Sequence, residues 1–258
     1  MLIDAHAHLD KYDDDQIDEV LAEIERRSVL TLSVSVDPAS FARAEAIAAQ
    51  SPLVIPSFGI HPEEAPSFVD SLASIGELVN RSPLIGEIGL DHRFVTDASQ
   101  YDPQREVFAF MLESARSQGK LVNLHCVGAE RDTLDMLKSH EIERAIVHWY
   151  SGPLDVLTEM IATGYSFTVG VEILHSDHIR RVAEVIPDTQ LLTETDNPGG
   201  LAWLTNETGR PHHLLDVLDE LARLRGVPVA ELSAMVQENM VRLMKGDPHL
   251  ADWESGLD

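Results

Sequence analysis

Eight short apolar runs alternate with helical patterns along this chain, and that alternation limits the fold more than any other feature. The runs are LIDAHAHL (2–9), LTLSVSV (30–36), LVIPSFGI (53–60), PLIGEIGL (83–90), LVNLHC (121–126), RAIVHWY (144–150), YSFTVGV (165–171) and QLLTETD (190–196). They are rich in apolar and β-branched residues and several end at or just before an Asp, as strands covered on both faces of a parallel sheet do. Amphipathic segments lie between them, among them 17–27, 41–50, 68–80, 104–118 and 131–140. Eight strand–helix units predict an α/β protein built as a (β/α)₈ TIM barrel. The 258 residues match one barrel of roughly 250. No repeat, low-complexity tract or linker interrupts them, so a single domain over 1–258 is expected. Segments 212–226 and 228–244 read as closing helices, and 197–211 as an irregular loop over one face.

Composition excludes several classes. Hydrophobic residues make up 44% and charged residues 24%, which are globular values. No apolar run approaches the roughly 18 residues of a membrane span. Strand-like sequence begins at Leu2 with no basic start and no apolar core of a leader, so a signal peptide is not expected. A single cysteine, Cys126, cannot form an internal disulfide, which predicts a reducing, cytoplasmic location. Asp and Glu number 44 against 19 Lys and Arg, for a net charge of −25. That balance argues against a basic groove for long nucleic acid. Only Lys11, Lys120, Lys138 and Lys245 are lysines. An acidic, lysine-poor surface is one route to solubility in high salt, where self-repulsion is screened.

Catalytic side chains of such barrels sit at the carboxyl ends of the strands. The first run ends with His6 and His8, two apart and therefore expected on the inward side together with Asp4, with Ala5 and Ala7 facing the helices. His61 follows the third run. Glu87 lies near the end of the fourth, with Asp91 just after it. His125 ends the fifth, His148 lies near the end of the sixth, and Glu194 and Asp196 close the eighth. Buried in one mouth without an ion, these groups would be costly to desolvate. Neutral imidazoles and ionised carboxylates are natural ligands of divalent metals. The reading is a centre for two ions: His6, His8 and Asp196 on one, His125 and His148 on the other, and Glu87 bridging. No lysine lies near the end of the fourth strand to serve as the bridge instead. Mixed nitrogen and oxygen ligands accept Zn²⁺, Mn²⁺, Fe²⁺ or Mg²⁺.

The motifs IDAHAHLD (3–10), FGIHPEEA (58–65), IGEIGLD (85–91), NLHC (123–126), HWYSG (148–152), TETDNP (193–198) and ENMVRLM (238–244) resemble the TatD-type metal-dependent deoxyribonucleases of the amidohydrolase-like barrels. They follow that family's order nearly end to end. The resemblance implies a divalent-metal phosphodiesterase and carries over His6, His8, Glu87, His125, His148 and Asp196 as ligands, with His61 on the substrate side. The chain departs from the family around the substrate. His92-Arg93 stands where an aromatic pair is usual, Cys126-Val127 replaces Ser-Arg, and GGLAWL and ETGRPHH replace the usual pieces after TETDNP. Arg93 and Arg210 are the candidate replacement phosphate contacts.

The expected reaction is hydrolysis by metal-activated water, with Asp196 as ligand and proton acceptor and Glu87 at the centre of the catalytic set. Glu194 and Asp4 are expected to orient ligands from behind, and Asp91 to stand beside them. The expected substrate is DNA or a nucleotide-like phosphodiester, with neither a membrane nor an obligate protein partner. The alternative is an amidohydrolase-type enzyme that cleaves a C–N, ester or lactone bond at the same centre.

Overall fold

The computed structural model describes residues 1–254 and 256. Its strands are β1 (Leu2–Ala7), β2 (Val29–Val34), β3 (Val54–Phe58), β4 (Leu84–Asp91), β5 (Val122–Val127), β6 (Ala145–Val147), β7 (Ser166–Val169) and β8 (Leu191–Thr193). They form one eight-stranded sheet in sequence order, each neighbour parallel. The sheet nearly closes. The Asp196 N–H donates to His6 O at 2.9 Å and the His8 N–H donates to Asn197 O at 2.7 Å, joining the chain just past β8 to β1. This is the expected (β/α)₈ architecture.

The helices are α1 (Asp14–Arg27), α2 (Pro38–Ala48), α3 (Ala65–Phe68), α4 (Gly76–Arg81), α5 (Tyr101–Gln118), α6 (Glu130–Ser139), α7 (Leu154–Ala162), α8 (Asp177–Val185), α9 (Gly199–Thr205), α10 (His213–Arg225), α11 (Val229–Met244) and α12 (Ala251–Glu254). Local chemistry sets the boundaries. Asp37 caps α2 through Ser40 N at 2.7 Å with Pro38 at the first helical position. Gly119 and Gly226 end α5 and α10 in the left-handed region.

Two expectations need correction. The helix expected over 68–80 is broken into α3, a 3₁₀ segment (Val69–Ile75) and α4. Ser71 leaves helical geometry there, with φ −135° and ψ 24°, and serine hydroxyls at 71 and 74 bond carbonyls three residues back. The loop expected over 197–211 contains α9. The Asp196 carbonyl accepts from Gly200 N at 2.7 Å, and a Cβ at Gly200 would lie only 2.7 Å from Thr195 O. The glycine that reads as a loop signal is a requirement of close packing.

Two apolar cores divide the barrel. Val122, Leu124, Cys126, Val147, Phe167 and Val169 face the helix layer. Ile3, Leu30, Leu32, Ile55, Leu84, Leu121, Ile146 and Leu192 gather with Val236, Met240 and Met244 of α11. Strands from every side can meet in one cluster only in the barrel interior, so α11 plugs the end where the strands begin. The candidate site residues lie at the other end, where the strands finish.

Candidate metal centre

Two irregularities in the sheet aim the candidate ligand residues. Between Asp4 and Ala7, β1 uses three steps where β2 uses two. Between Ile85 and Ile88, β4 does the same against β5. An extra residue breaks the two-residue alternation. In β1 it puts Ala5 with Ile3 in the inner core, and Ala7 alone faces the helices, so the expected pairing of Ala5 with Ala7 is corrected. In β4 it falls at Gly86 and Glu87. Space there is minimal. A Cβ on Gly59 would stand 2.2 Å from Glu87 O, and one on Gly86 would stand 2.6 Å from Asn123 Cβ.

His6, His8, Glu87, His125, His148 and Asp196 meet at the carboxyl end of the barrel. Glu87 stands in the middle. Its Oε2 lies 3.3 Å from His8 Nε2 and 3.7 Å from His6 Nε2. Its Oε1 lies 2.9 Å from His125 Nδ1 and 3.0 Å from His148 Nε2. Asp196 Oδ1 closes the first group, 3.4 Å from His8 Nε2 and 3.8 Å from His6 Nε2. Asp196 sits past the end of β8 at φ +50°, a turn that carries its carboxylate over the mouth.

The partners behind the imidazoles fix which nitrogen each presents. His6 Nδ1 lies 2.8 Å from Asn123 Oδ1, whose amide in turn donates to Ala5 O at 2.8 Å, so His6 Nδ1 carries the proton and Nε2 is left bare. His125 Nε2 donates to Asp91 Oδ2 at 3.0 Å, so Nδ1 faces the cluster. Asp91 is itself held by the N–H groups of Arg93 and Phe94, both at 2.8 Å to Oδ1. His148 Nδ1 looks back at Glu194 Oε2, 3.5 Å away. Glu194 is anchored by Thr168 Oγ1 at 2.6 Å and by the Trp149 N–H at 3.0 Å. Asp4 does not hold an imidazole ring, as expected of it. Its carboxylate accepts from Thr195 N at 2.9 Å and Thr195 Oγ1 at 2.6 Å, and burial lifts its pKa to about 7. The support of His6 comes from Asn123, two residues before His125 on the same face of β5.

His61 lies closer to the cluster than a purely substrate-side residue would. One of its ring nitrogens falls within 4.8 Å of nitrogen and oxygen atoms that Glu87 and His125 could offer a metal, and its ring meets His125 edge-on at 4.6 Å. The Glu63 N–H donates to its Nδ1 at 3.3 Å, leaving Nε2 towards Glu87 Oε1 at 3.7 Å. Arg93 lines the mouth, whereas Arg210 lies over the Tyr12 ring and faces Glu19 at 3.5 Å.

The electrostatics suit a cation. Burial, then the neighbouring His148, hold the His6 pKa well below the usual imidazole range, so His6 stays neutral. Glu87 is opposed by burial, yet His61, His148 and His6 keep it ionised, well below the usual carboxylate range. Burial opposes a charge on His125, but its bonds to Asp91 and Glu87 raise its pKa. The bare His6 Nε2 is fully buried with no hydrogen-bond partner. Its nearest carboxylate oxygens, at 3.7 and 3.8 Å, are too far for a bond. Atoms bound about 2.1 Å from one shared ion lie about 3.4 Å apart in a tetrahedral shell. The donor set and its spacing therefore fit divalent metal.

Comparison with known proteins agrees. Residues 3–245 match the model of the TatD related DNase family. The chain is 27% identical to the human protein named deoxyribonuclease TATDN3, with 96% of each chain covered. It is also 27% identical to an Escherichia coli K12 protein described as the uncharacterized metal-dependent hydrolase YcfH, covering 95% of this chain and 96% of that one. Among solved structures, the TatD homologue YJJV of E. coli K12 superposes with a TM-score of 0.84 at 27% identity, covering 94% of this chain and 97% of the other. The chain belongs to the TatD related DNase family and is a metal-dependent hydrolase.

Proposed function

We propose that this chain hydrolyses phosphodiester bonds of DNA or a nucleotide-like substrate at a centre of two divalent ions. His6, His8 and Asp196 would hold one ion, His125 and His148 the other, with Glu87 shared. One observation carries the reading: Glu87 turns one oxygen to the His6–His8 pair and the other to the His125–His148 pair. When bound, such ions supply an acidified water and neutralise charge that develops on phosphorus.

The chain's own groups do the rest. Asp196 is the proton acceptor for the attacking water, since its side chain is 22% exposed and opens to the mouth. Asn123 and Asp91 hold His6 and His125 in the tautomers that present a bare nitrogen. Glu194 and Thr168 set the ring of His148 from behind. His61 Nε2 faces the site as a hydrogen-bond donor to substrate oxygen, because its Nδ1 already accepts from Glu63. The single buried cysteine supports a cytoplasmic location, and fractionation of the native cell tests it.

The test is a matrix of Zn²⁺, Mn²⁺, Fe²⁺ and Mg²⁺ against DNA, aryl phosphodiesters, lactones and cyclic amides. Metal-dependent release of nucleotide is expected. Turnover of lactones or amides without phosphodiester cleavage would overturn the reading in favour of the amidohydrolase alternative.

A further inference from the structure

Beside the metal cluster the mouth opens into an aromatic pocket that the hydrolytic groups do not use. The cavity measures about 360 Å³ and is walled by Arg93, Phe94, Trp149 and Trp203, with His148 and Asp196 at its inner edge. A ligand in it therefore touches the reacting end of the site. Phe94 is 54% exposed and Trp203 62%. Only two other large apolar side chains among the described residues are exposed, Val185 and Val229, and neither lines this cavity. Two solvent-facing rings on one lip mark a binding surface.

The pocket is built, not incidental. The Trp149 N–H donates to Thr168 Oγ1 and Glu194 Oε1, both at 3.0 Å, and its indole N–H donates to the Glu172 carboxylate. Trp203 meets the Trp149 ring edge-on, with centroids 6.1 Å apart at 80°. Gly200 lets α9 come this close, since a Cβ there would lie 2.8 Å from Trp149 Cζ3. The Arg93 guanidinium stands 5.6 Å from the centre of the Phe94 ring.

Charge limits what can reach it. Outside the metal cluster, the cations along the mouth are Arg93 and Lys11, set against Glu63, Glu64 and Glu172. With a net charge of −25 behind them, these two cannot track a long phosphate backbone. Stacking on a flat face needs no such track and tolerates any base.

We propose that this pocket stacks one unpaired nucleobase, that of the nucleotide beside the scissile phosphate, against Trp203 and Phe94, and that substrate recognition ends there. The proposal rests on the phosphodiesterase reading above. It makes the substrate a single strand or a splayed strand end, held over one or two nucleotides, with little preference for sequence or length.

The test compares the parent with Trp203→Ala, Trp203→Phe and Phe94→Ala. The substrates are a single-stranded dinucleotide, octamer and hexadecamer, and an octamer series with an abasic tetrahydrofuran residue at each position beside a cleavable bond. A second readout, independent of turnover, is the emission of 2-aminopurine at either end of the octamer on titration with metal-free protein. For the parent, kcat/KM per cleavable end should vary by no more than about threefold with length. Trp203→Ala should lose roughly five- to a hundredfold on the intact substrate and almost nothing on the abasic one, while Trp203→Phe restores most of it. The parent should quench the 2-aminopurine and Trp203→Ala should not. Equal losses on intact and abasic substrates, or kcat/KM that climbs steadily with length, would overturn the stacking site while leaving the phosphodiesterase intact. A parent that cleaves no phosphodiester with any metal overturns both.

Discussion

The Nε2 of His125 lies 3.0 Å from Asp91 Oδ2, and this one contact decides which nitrogen His125 turns to Glu87. An imidazole has a single proton to place when neutral. Asp91 accepts it at Nε2, so the lone pair of Nδ1 is left for the cluster. Asp91→Asn can offer that nitrogen an N–H and favour the wrong tautomer. Metal affinity should fall by about ten- to a hundredfold, and excess metal should restore activity. Calorimetric titration with Mn²⁺ or Zn²⁺ checks this; unchanged affinity would mean that Asp91 serves only the loop at Arg93 and Phe94.

Glu87 tests the shared bridge. Glu87→Gln keeps the shape but presents no charge to either histidine pair. It should lower the affinity of the more weakly held ion first, with activity partly recovered at high metal. His125→Ala should weaken only its own ion. Elemental analysis of metal per chain, with rate against metal concentration for both variants, separates the two. A parent that never holds more than one ion refutes the bridge.

Asp196 is expected to be both ligand and proton acceptor. Asp196→Asn should lose about 10²-fold or more in hydrolysis. Metal content should drop by at most one ion. Activity within tenfold of the parent would move the base elsewhere.

The strand carrying Glu87 depends on backbone approach. Gly89 has φ +151°, and a Cβ there would stand 1.8 Å from His125 O, on the neighbouring strand. Neither β4 nor β5 can yield without moving Glu87 or His125. Gly89→Ala should cost about 3 kcal/mol or more in stability. A thermal melt reads it directly, and a midpoint within a degree or two of the parent would show that the sheet can relax there.

Salt tests the charge. With 44 acidic residues against 19 basic ones, self-repulsion should be strong in dilute buffer. The melting temperature should climb as KCl rises. Screening alone is largely complete within the first few tenths molar, because the Debye length is already about 8 Å at 0.15 M. A gain that continues towards molar KCl indicates a surface adapted to high salt, and a flat profile refutes that adaptation.

The sequence by itself determined the barrel and the composition of its mouth. Eight apolar runs with helical patterns between them leave few alternatives, because parallel strands covered on both faces carry that signature in every element. His6, His8, Glu87, His125, His148 and Asp196 were legible because a barrel delivers all its strand ends to one rim. Tertiary structure decided the rest, for reasons that act between residues far apart in the chain. The extra residues in β1 and β4 exist only as register against β2 and β5, so the facing of Ala5 and the placing of Glu87 could not follow from alternation. Asn123 supports His6 across 117 positions, and Asp4 turns to Thr195 across 191. The short helix α9 was hidden because its Gly200 answers to Trp149 and Thr195, contacts that arise only once the barrel has closed. Local sequence records what a segment prefers; the site is made where those preferences meet packing from the other side of the barrel.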